Sequence, residues 1–438
     1  MERSPGPCYY YECMKRYAIV GVGSRSFLFA DALLGDFKEH GRLVALCDSN
    51  RIRLEYANRR FRENYAAAPL PLYQPADFER MLEQDKVDTV IVTTMDRTHH
   101  QYIIRAVEAG RDVITEKPMT VDEEKCRSIL AALRRSGRNL RVTFNYRYAP
   151  RNSRVKELLL EGAIGEVKSV HFEWLLDTRH GADYFRRWHR DKRNSGGLMV
   201  HKASHHFDLV NWWLESYPQT VYGLGGLVFY GRENAEARGV SSFYDRGTGR
   251  AKMDPFALDL ASDPELKAMY LDAEAEDGYR RDESVFGHYI SIEDDMAVLA
   301  RYRNGATMSY HLTAYSPWEG FHIAFNGTKG RLEYEVAENS YVSGIQDQGG
   351  PPSSEPARLL LRPHWRQPVQ VEVEQSSEGG HGGGDRRLLH DLFVGAENDP
   401  LGRAADYLAG ARALLVGVAA NRSLATGQPV RLDDLLAL

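Results

Sequence analysis

Residues 17–26 read Tyr-Ala-Ile-Val-Gly-Val-Gly-Ser-Arg-Ser, an apolar run that leads into a glycine-rich turn. The run is typical of a buried strand, and a helical pattern follows it through Phe27 and Leu34. Between strand and helix, Gly21 permits a tight turn, and Gly23 lets the backbone approach a pyrophosphate at the helix N-terminus. Ser26 stands where such loops usually have a third glycine. The stretch therefore predicts the first turn of a dinucleotide-binding domain.

Strands and helices alternate beyond this turn. Further strands are predicted at residues 43–47, 87–92, 112–115 and 141–144, and helices at 98–109 and 121–135. Strands that alternate with helices through short loops are typical of a doubly wound parallel sheet. We therefore predict an α/β protein in which residues 14–147 form a Rossmann domain.

A carboxylate closes the second strand, because Asp48 follows Ser26 by 22 residues. An acidic residue there accepts hydrogen bonds from the adenosine ribose and repels a 2′-phosphate. The sequence therefore predicts NAD rather than NADP as cofactor, with Arg51 and Arg53 close enough to soften that preference. The alternative is a nucleotide-free flavodoxin-like turn with a capping aspartate, which we disfavour because both elements stand in a strand–helix–strand context.

The pattern changes after Pro150. A helix is predicted at residues 152–160, a long strand at 166–176 and a second helix at 200–214, and strands follow at 221–229, 296–303, 307–312, 322–326 and 331–335. This order predicts that residues 148–438 form an α+β domain on an open, mostly antiparallel sheet. The charged segment 230–293 is long for a loop, so it is either a lid or an insertion with its own short helices. The last helix is predicted at 403–422.

The bulk composition excludes several classes of protein. The formal net charge of −5 gives no electrostatic case for binding nucleic acid or an anionic membrane. No stretch approaches the roughly eighteen apolar residues of a membrane span. The four cysteines, which lack metal-ligand spacing, indicate reduced thiols, and we expect a cytoplasmic protein. Residues 1–13 show no periodicity and are expected to form a poorly ordered extension before Met14.

Three motifs resemble the Gfo/Idh/MocA family of oxidoreductases. The first is the glycine-rich loop, and the second is Glu116-Lys117-Pro118, which is similar to the Glu-Lys-Pro signature of the family. The third reads Gly-Gly at 196–197, then His201, His205 and Asp208. The family pattern there is Gly-Gly followed by Asp-x-Gly-x-His-x-x-Asp, so His201 stands where the family usually has aspartate.

Two further segments carry the resemblance. Residues 94–99 read Thr-Met-Asp-Arg-Thr-His and resemble the Thr-Pro-Asn-x-x-His turn of the family, from which Met95 and Asp96 depart. The C-terminal Ala-Ala-Asn-Arg-Ser at 419–423 is also similar to the family. The resemblance implies residues that contact the cofactor, namely Gly21, Gly23, Ser24, Arg25, Ser26, Asp48, Thr94, His99, Glu116 and Lys117.

The resemblance also implies a chemistry, the NAD-dependent oxidation of a sugar. It assigns Lys117 to the reacting hydroxyl and His205 to the neighbourhood of the nicotinamide, with His201 as a third catalytic residue that lacks the usual carboxylate. Oxidising a secondary alcohol requires removal of the hydroxyl proton, a role that suits a neutral imidazole near pH 7. A nearby ammonium stabilises the developing alkoxide.

The spacing of His201 and His205, one helical turn apart, also suits a pair of metal ligands. The sequence shows no obvious third ligand, and Glu173, His180 and Asp183 are the candidates. We predict no metal, because the resemblance already accounts for His205.

Residues 177–189 combine charged and aromatic side chains, the groups that bind sugar hydroxyls and the apolar face of a sugar ring. We expect residues 177–195 to form a loop that is one wall of the substrate site. The candidate substrate-binding residues are Arg147, Tyr148, His180, Tyr184, Arg187, Trp188 and Asp208.

The crowded wall and the insertion favour a glycoside over a free sugar or sugar acid, with C3 as the candidate position of oxidation. The alternative is a redox-neutral glycoside hydrolase that oxidises a ring hydroxyl transiently, eliminates the glycosidic group and reduces the product back. A non-enzymatic nucleotide sensor is disfavoured by Lys117 with His205. If residues 230–293 are a lid, their removal should weaken glycoside binding and leave NAD affinity unchanged. We also expect a homo-oligomer through the C-terminal sheet.

Overall fold

The computed structural model describes residues 14–250, 254–342, 356–374, 380–395 and 398–438. The predicted N-terminal extension, residues 1–13, lies outside these ranges. Across the ranges described, no helix has both the length and the apolar character needed to span a bilayer.

The N-terminal part of the chain forms a six-stranded parallel sheet with the order β3-β2-β1-β4-β5-β6. Its strands are β1 (Lys15–Val20), β2 (Gly41–Cys47), β3 (Leu72–Tyr73), β4 (Thr89–Val92), β5 (Asp112–Thr115) and β6 (Leu140–Val142). The connecting helices are α1 (Ser26–Leu34), α2 (Arg51–Tyr65), α3 (Phe78–Gln84), α4 (His99–Glu108) and α5 (Glu123–Ser136). This strand order is that of a dinucleotide-binding domain, and ligands bind where the order reverses, at the carboxyl ends of β1 and β4.

A nine-stranded sheet forms the second half of the protein, with the order β14-β13-β12-β11-β7-β10-β9-β8-β15. Its strands are β7 (Val167–Asp177), β8 (Pro218–Gly226), β9 (Asp295–Tyr302), β10 (Thr307–Ser316), β11 (Glu319–Gly327), β12 (Gly330–Asn339), β13 (Arg358–Pro363), β14 (Val369–Val371) and β15 (Val430–Arg431). All neighbours pair antiparallel except β7 and β10. Both predicted sheet types, and thus the fold class, are confirmed.

Helices cover one face of this sheet and frame the space between the two halves. They are α6 (Pro150–Leu160), α7 (His180–Arg186), α8 (Lys192–Ser195), α9 (Leu198–His201), α10 (Ala203–Leu214), α11 (Arg232–Ala237), α12 (Pro264–Leu266), α13 (Glu274–Asp277), α14 (Gly380–Phe393), α15 (Tyr407–Thr426) and α16 (Leu432–Leu435). Alternate residues of β9, such as Met296 and Val298, are buried beneath them, whereas Leu299 faces outward with 60% of its surface exposed. The sheet thus has one packed and one open face.

Two sequence predictions are wrong in local detail. Residues 177–195, expected as a loop, contain α7, α8 and a 3-10 turn at Trp188–Arg190. Asp177 begins α7 because its Oδ1 accepts the backbone N–H groups of Arg179 and His180, both at 2.8 Å. The helix expected over 200–214 is divided at Lys202 into α9 and α10. His201 and His205 therefore lie on two successive helices rather than one face of a single helix.

The charged insertion has short helical elements of its own, as one of the two sequence alternatives predicted. Between β8 and β9 the chain forms α11, α12 and α13, together with a 3-10 turn at Leu260–Ser262 and a π-helical turn at Lys267–Leu271. Residues 265–277 of this segment reach back to the nucleotide side of the protein, as the contacts below show.

Candidate active site

The glycine-rich loop after β1 has the backbone that a dinucleotide requires. Gly21 adopts a φ of +88°, and a Cβ atom there would lie 2.6 Å from the backbone of Thr94. Only glycine fits this approach, because both the conformation and the space exclude a side chain. Ser26 replaces the third glycine and closes the turn, since its Oγ donates to the carbonyl of Gly23 at 2.7 Å. The loop therefore fits the pyrophosphate of a dinucleotide.

Asp48 lies at the end of β2, where the adenosine ribose of such a cofactor binds. Its Oδ2 accepts the N–H of Val22 at 2.6 Å, and its Oδ1 accepts the N–H of Asn50 at 2.7 Å. The guanidinium of Arg53 lies 3.2 Å from Asp48 and 2.5 Å from Asp277 of the insertion. The positive charge of Arg53, which would favour a 2′-phosphate, is thus held between two carboxylates.

The insertion crosses the nucleotide loop itself. The hydroxyl of Tyr270 accepts the N–H of Ser24 at 3.2 Å and lies 2.8 Å from its Oγ. Farther along, the N–H of Ile52 donates to Glu276 at 3.0 Å, and the amide of Asn50 donates to the carbonyl of Ala273 at 2.9 Å. The insertion therefore contacts the cofactor loop directly, and the expectation that its removal would leave NAD affinity unchanged is not supported by this geometry.

Lys117 follows β5 and lies in the interdomain cleft, next to the cofactor loop. Its Nζ donates to the carbonyl of His201 at 3.1 Å. Burial, reinforced by the positive charge of Lys202, lowers the pKa of Lys117 to about 8. The preceding Glu116 is held by Arg25 at 2.6 Å, so its charge is already paired. Lys117 is therefore a half-buried lysine whose pKa of about 8 lies close to neutral pH, beside the expected cofactor site.

The turn at residues 94–99 is tied to this lysine segment. Both ring nitrogens of His99 face carbonyl oxygens, that of Pro118 at 2.9 Å and that of Thr94 at 3.0 Å. The turn therefore holds Thr94 and Asp96 at the carboxyl end of β4, where they line the cleft.

Asp96 supplies the carboxylate that sequence reasoning could not find for His201. Its Oδ2 lies 2.5 Å from Nδ1 of His201, and both residues are buried. Burial, followed by the positive charges of Lys117 and Arg187, lowers the pKa of His201 well below its usual value, so the ring is neutral at pH 7. Asp96 then fixes Nδ1, which leaves Nε2 as the proton-accepting atom.

His205 lies one turn farther along, at the start of α10, and also lines the cleft. Its ring packs against Tyr146, with centroids 4.7 Å apart, and against Phe144 at 5.9 Å. The three residues predicted to be catalytic, Lys117, His201 and His205, are thus brought together in one cleft.

Of the residues predicted to bind substrate, four line this cleft: His180, Tyr184, Arg187 and Trp188. His180 is oriented by Glu319 at 2.7 Å and by the hydroxyl of Tyr184 at 3.1 Å. These side chains form the wall opposite the cofactor loop.

The other three predicted substrate residues do not line the cleft. Arg147 and Asp208 form a buried bidentate ion pair at 2.7 and 2.6 Å, and the hydroxyl of Tyr148 donates to Asp391 at 2.5 Å. Each is therefore satisfied inside the protein. Asp208 closes the third family motif as a structural partner of Arg147.

Sequence reasoning missed several side chains that line the cleft. They are Asp96, Lys202, Tyr270, Asp277, Tyr279 and Arg281. Four of these lie in the insertion, for which only a lid in general terms was predicted. His189, the last residue of the predicted wall, also lines the cleft and packs on His201 with ring centroids 4.2 Å apart.

None of the three residues that the sequence offered as a third metal ligand is free beside His201 and His205. Glu173 lies on the open face of the large sheet, His180 is held by Glu319, and the carboxylate of Asp183 is engaged by arginines. In the part of the chain that the structure describes, no group of three His, Cys, Asp or Glu side chains is arranged to hold a metal ion.

Family models match both halves of the chain. Residues 15–144 match the NAD-binding Rossmann fold of the Gfo/Idh/MocA oxidoreductase family, and residues 156–432 match its C-terminal alpha/beta domain. The chain belongs to this family. It is therefore an NAD-binding oxidoreductase, and the cleft of about 830 Å³ between the two halves, lined by the loop, Lys117 and His205, is its candidate active site.

Several members of the family are similar over the whole chain or part of it. The oxidoreductase YteT of Bacillus subtilis (strain 168) is 37% identical over 447 residues, which cover 97% of this chain and 99% of that protein. Inositol 2-dehydrogenase of Rhizobium meliloti (strain 1021) is 27% identical over 213 residues, 49% of this chain and 59% of that enzyme. The crystal structure of aldose-aldose oxidoreductase from Caulobacter crescentus, complexed with glycerol, shares the fold with a TM-score of 0.62 at 18% identity, covering 95% and 99% of the two chains.

Proposed function

We propose that this oxidoreductase acts on a secondary hydroxyl of a sugar or glycoside. The observation that carries the proposal is the convergence of Lys117, the His201–Asp96 pair and His205 in one cleft with the nucleotide loop. The loop and Asp48 would hold NAD, which supplies the acceptor for the hydride of the oxidised carbon. Inositol dehydrogenase among the relatives supports a polyhydroxylated substrate.

Each of the three groups has a distinct task in this proposal. The ammonium of Lys117 binds the reacting hydroxyl and stabilises the negative charge that develops on its oxygen. The neutral ring of His201 takes the hydroxyl proton at Nε2, while Asp96 stabilises the resulting imidazolium through Nδ1. His205 orients the sugar against the cofactor end of the cleft. The wall formed by His180, Tyr184, Arg187 and Trp188 binds the remaining hydroxyls and the apolar face of the ring.

A second candidate function is redox-neutral cleavage of a glycoside through a transient keto sugar. The contacts of Tyr270 with Ser24 and of Arg53 with Asp277 favour it, because a cofactor bound beneath them leaves only when these contacts break. A cofactor that is retained through turnover suits a reaction in which it is reduced and then reoxidised.

One experiment separates the two functions. The purified protein is incubated with NAD and a panel of sugars and their glycosides, and NADH absorbance and released free sugar are followed together. Net oxidation gives NADH without release of the aglycone. Redox-neutral cleavage gives free sugar in many-fold excess over any NADH, and the absence of both products with every compound would contradict the proposed function.

Replacing Asp48 by alanine is expected to shift cofactor preference toward NADP by about tenfold or more, because it removes the carboxylate that repels a 2′-phosphate and releases Arg53 from one of its partners. Calorimetric titration of both cofactors measures the shift. Asp36→Ala, an exposed aspartate on the same domain, is the matched control and should leave the preference unchanged. If the wild-type protein already binds NADP more tightly than NAD, the assignment of Asp48 is wrong.

The open face of the large sheet supports the proposal of a homo-oligomer. Leu224 and Leu299 point outward from neighbouring strands with 56% and 60% of their surfaces exposed, in a shallow groove on that face. Leu299→Glu is expected to reduce the mass found by sedimentation to that of a monomer, because it places a charge in the apolar part of the interface. Leu160→Glu, at an exposed helix end, should leave the mass unchanged. If the wild-type protein sediments as a monomer, the proposal of a homo-oligomer is wrong.

A further inference from the structure

The substrate end of the cleft carries more positive than negative charge. Four cations line it: Lys117, Arg187, Lys202 and Arg281. Asp96 is the lining carboxylate at this end, and it is already bound to His201. The remaining lining carboxylates, Asp48, Glu116 and Asp277, are paired with arginines at the cofactor end.

Behind the wall, the carboxylate of Asp183 forms ion pairs with three guanidinium groups. Asp183 lies 2.8 Å from Arg281, 3.0 Å from Arg187 and 3.5 Å from Arg186. Burial would raise the pKa of Asp183, but these arginines together hold it well below its usual value, so the carboxylate is always charged. One negative charge shared by three positive ones leaves this wall cationic.

Lys202 is the most unusual of these cations. It stands at the break between α9 and α10, is 4% exposed and lines the cleft. Within the described ranges, its ammonium has no hydrogen bond and no ion pair. It lies 4.9 Å from the ring centroid of Trp174 and 5.8 Å from that of Tyr146, and the indole N–H of Trp174 is likewise without an acceptor.

The two carboxylates whose charges act on Lys202 already bind other side chains. Glu319 binds His180 at 2.7 Å, and Glu338 binds Arg151 at 2.7 Å. Their charges favour the ammonium form of Lys202, but burial outweighs them and lowers its pKa. A buried ammonium without a partner is costly, because aromatic rings recover only part of the lost hydration. An anion from outside the chain would give this ammonium the partner that it lacks within the described ranges.

We propose that the substrate carries a carboxylate, as in a uronic acid or its glycoside, and that Lys202 binds this group. The inference rests on the proposed function, since it assigns the substrate class of the same cleft. A carboxylate offers two acceptor oxygens to the ammonium and leaves the ring hydroxyls free for Lys117 and His201. The general excess of positive charge from Arg187 and Arg281 draws such a substrate into the cleft.

The test measures binding to the NAD-loaded protein by calorimetry, with matched pairs of acidic and neutral sugars. The pairs are glucuronate and glucose, galacturonate and galactose, mannuronate and mannose, and the methyl glycosides of each; glucose 6-phosphate tests a phosphate group. We expect at least one acid to bind about tenfold or more tightly than its neutral partner, which is the scale of one charge-assisted hydrogen bond. The proposal is overturned if no acid has this advantage, or if only the phosphate does.

Variants of Lys202 test whether this residue causes the preference for the acid. Lys202→Met keeps the length and burial of the side chain and should abolish the preference for the acid, and Lys202→Gln serves as a second neutral variant if the first does not fold. Lys168→Met, which removes an exposed charge near the start of β7, should keep the preference. A preference that survives both Lys202 variants places the anion elsewhere and overturns the assignment.

Failure of this inference and failure of the proposed function give different results. Acids that bind through Lys202 but yield neither NADH nor free sugar support the anion site and contradict the proposed activity. Neutral sugars that are oxidised as well as their acids support the activity and contradict the anion site.

Discussion

Replacing Lys117 by alanine is expected to lower turnover about a hundredfold or more while NAD binding stays within about twofold, because the lysine acts on the hydroxyl oxygen and contacts the chain through the carbonyl of His201. Turnover is measured by NADH formation or sugar release, and NAD binding by calorimetry. His205→Ala is expected to show a loss of similar size. Near-normal turnover in either variant would remove that residue from the mechanism.

The pH profile separates a chemical role of Lys117 from a structural one. The lysine acts as an ammonium, and burial lowers its pKa to about 8, so the rate should fall as pH rises through that value. Lys117→Arg keeps the charge at all accessible pH values and should lose this alkaline limb, whatever its remaining rate. A lysine that served only to hold the loop would leave the alkaline limb in place in the arginine variant.

The N-terminal half of the fold could be predicted because local pattern determines it. Strands β1, β2 and β4 are continuous buried runs, as parallel strands covered on both faces must be, and the loop before α1 has glycines at the positions of close approach. Gly21 has a Cβ position that coincides with the Thr94 backbone, so its identity follows from geometry. The strand pattern and the glycine spacing are local in sequence, and one sequence therefore reveals them, whereas the contact with Thr94 that requires Gly21 is seen only in the structure.

The substrate wall could be predicted in composition but not in conformation. Helix α7 begins because Asp177 accepts two backbone N–H groups, and His180 is then held by Glu319 from a strand far along the chain. A helix as short as α7 has too few residues to show a helical repeat of apolar side chains. The same limit applies to Arg147 and Asp208, since a buried ion pair and a binding site have the same residue types in sequence.

The contacts of the insertion could not be predicted from its length and composition. Its polar composition suggested a lid over the substrate, and four of its side chains do line the cleft. Tyr270 contacts Ser24 of the cofactor loop, and Asp277 contacts Arg53 on α2. Neither contact has a sequence signal, because the two partners precede these residues by more than two hundred positions. Removing the insertion is therefore expected to affect cofactor binding as well as substrate binding.

Asp96 and His201 each depart from a family motif, and the structure shows that the two residues are partners. Asp96 stands where the family has asparagine, and His201 stands where it has aspartate, so each looked like a loss when considered alone. In the structure they are hydrogen-bonded at 2.5 Å across 105 residues of sequence. The carboxyl group stands on the opposite side of the pair from its place in the family motifs, and burial raises the pKa of Asp96 while the positive charge of Lys117 opposes that shift.

Exchanging the two residues tests this interpretation. His201→Asp alone places two carboxylates face to face in a buried site and removes the imidazole, so turnover should fall about a hundredfold to a thousandfold. Asp96→Asn alone removes the charge that stabilises the imidazolium and should cost about tenfold or more. The double variant Asp96→Asn with His201→Asp places an amide opposite a carboxylate and has the residue types that the two family motifs have at these positions.

We expect the double variant to be at least about tenfold faster than His201→Asp, whereas independent effects would make it slower than either single variant. The double variant should also lose the acidic limb of its pH profile that belongs to the imidazole and acquire one at lower pH from the carboxylate. NAD affinity, which neither residue supplies through its charge pair, serves as the control for folding. A double variant at or below the product of the two single losses would show that Asp96 and His201 act separately, and His201 would then need no carboxylate.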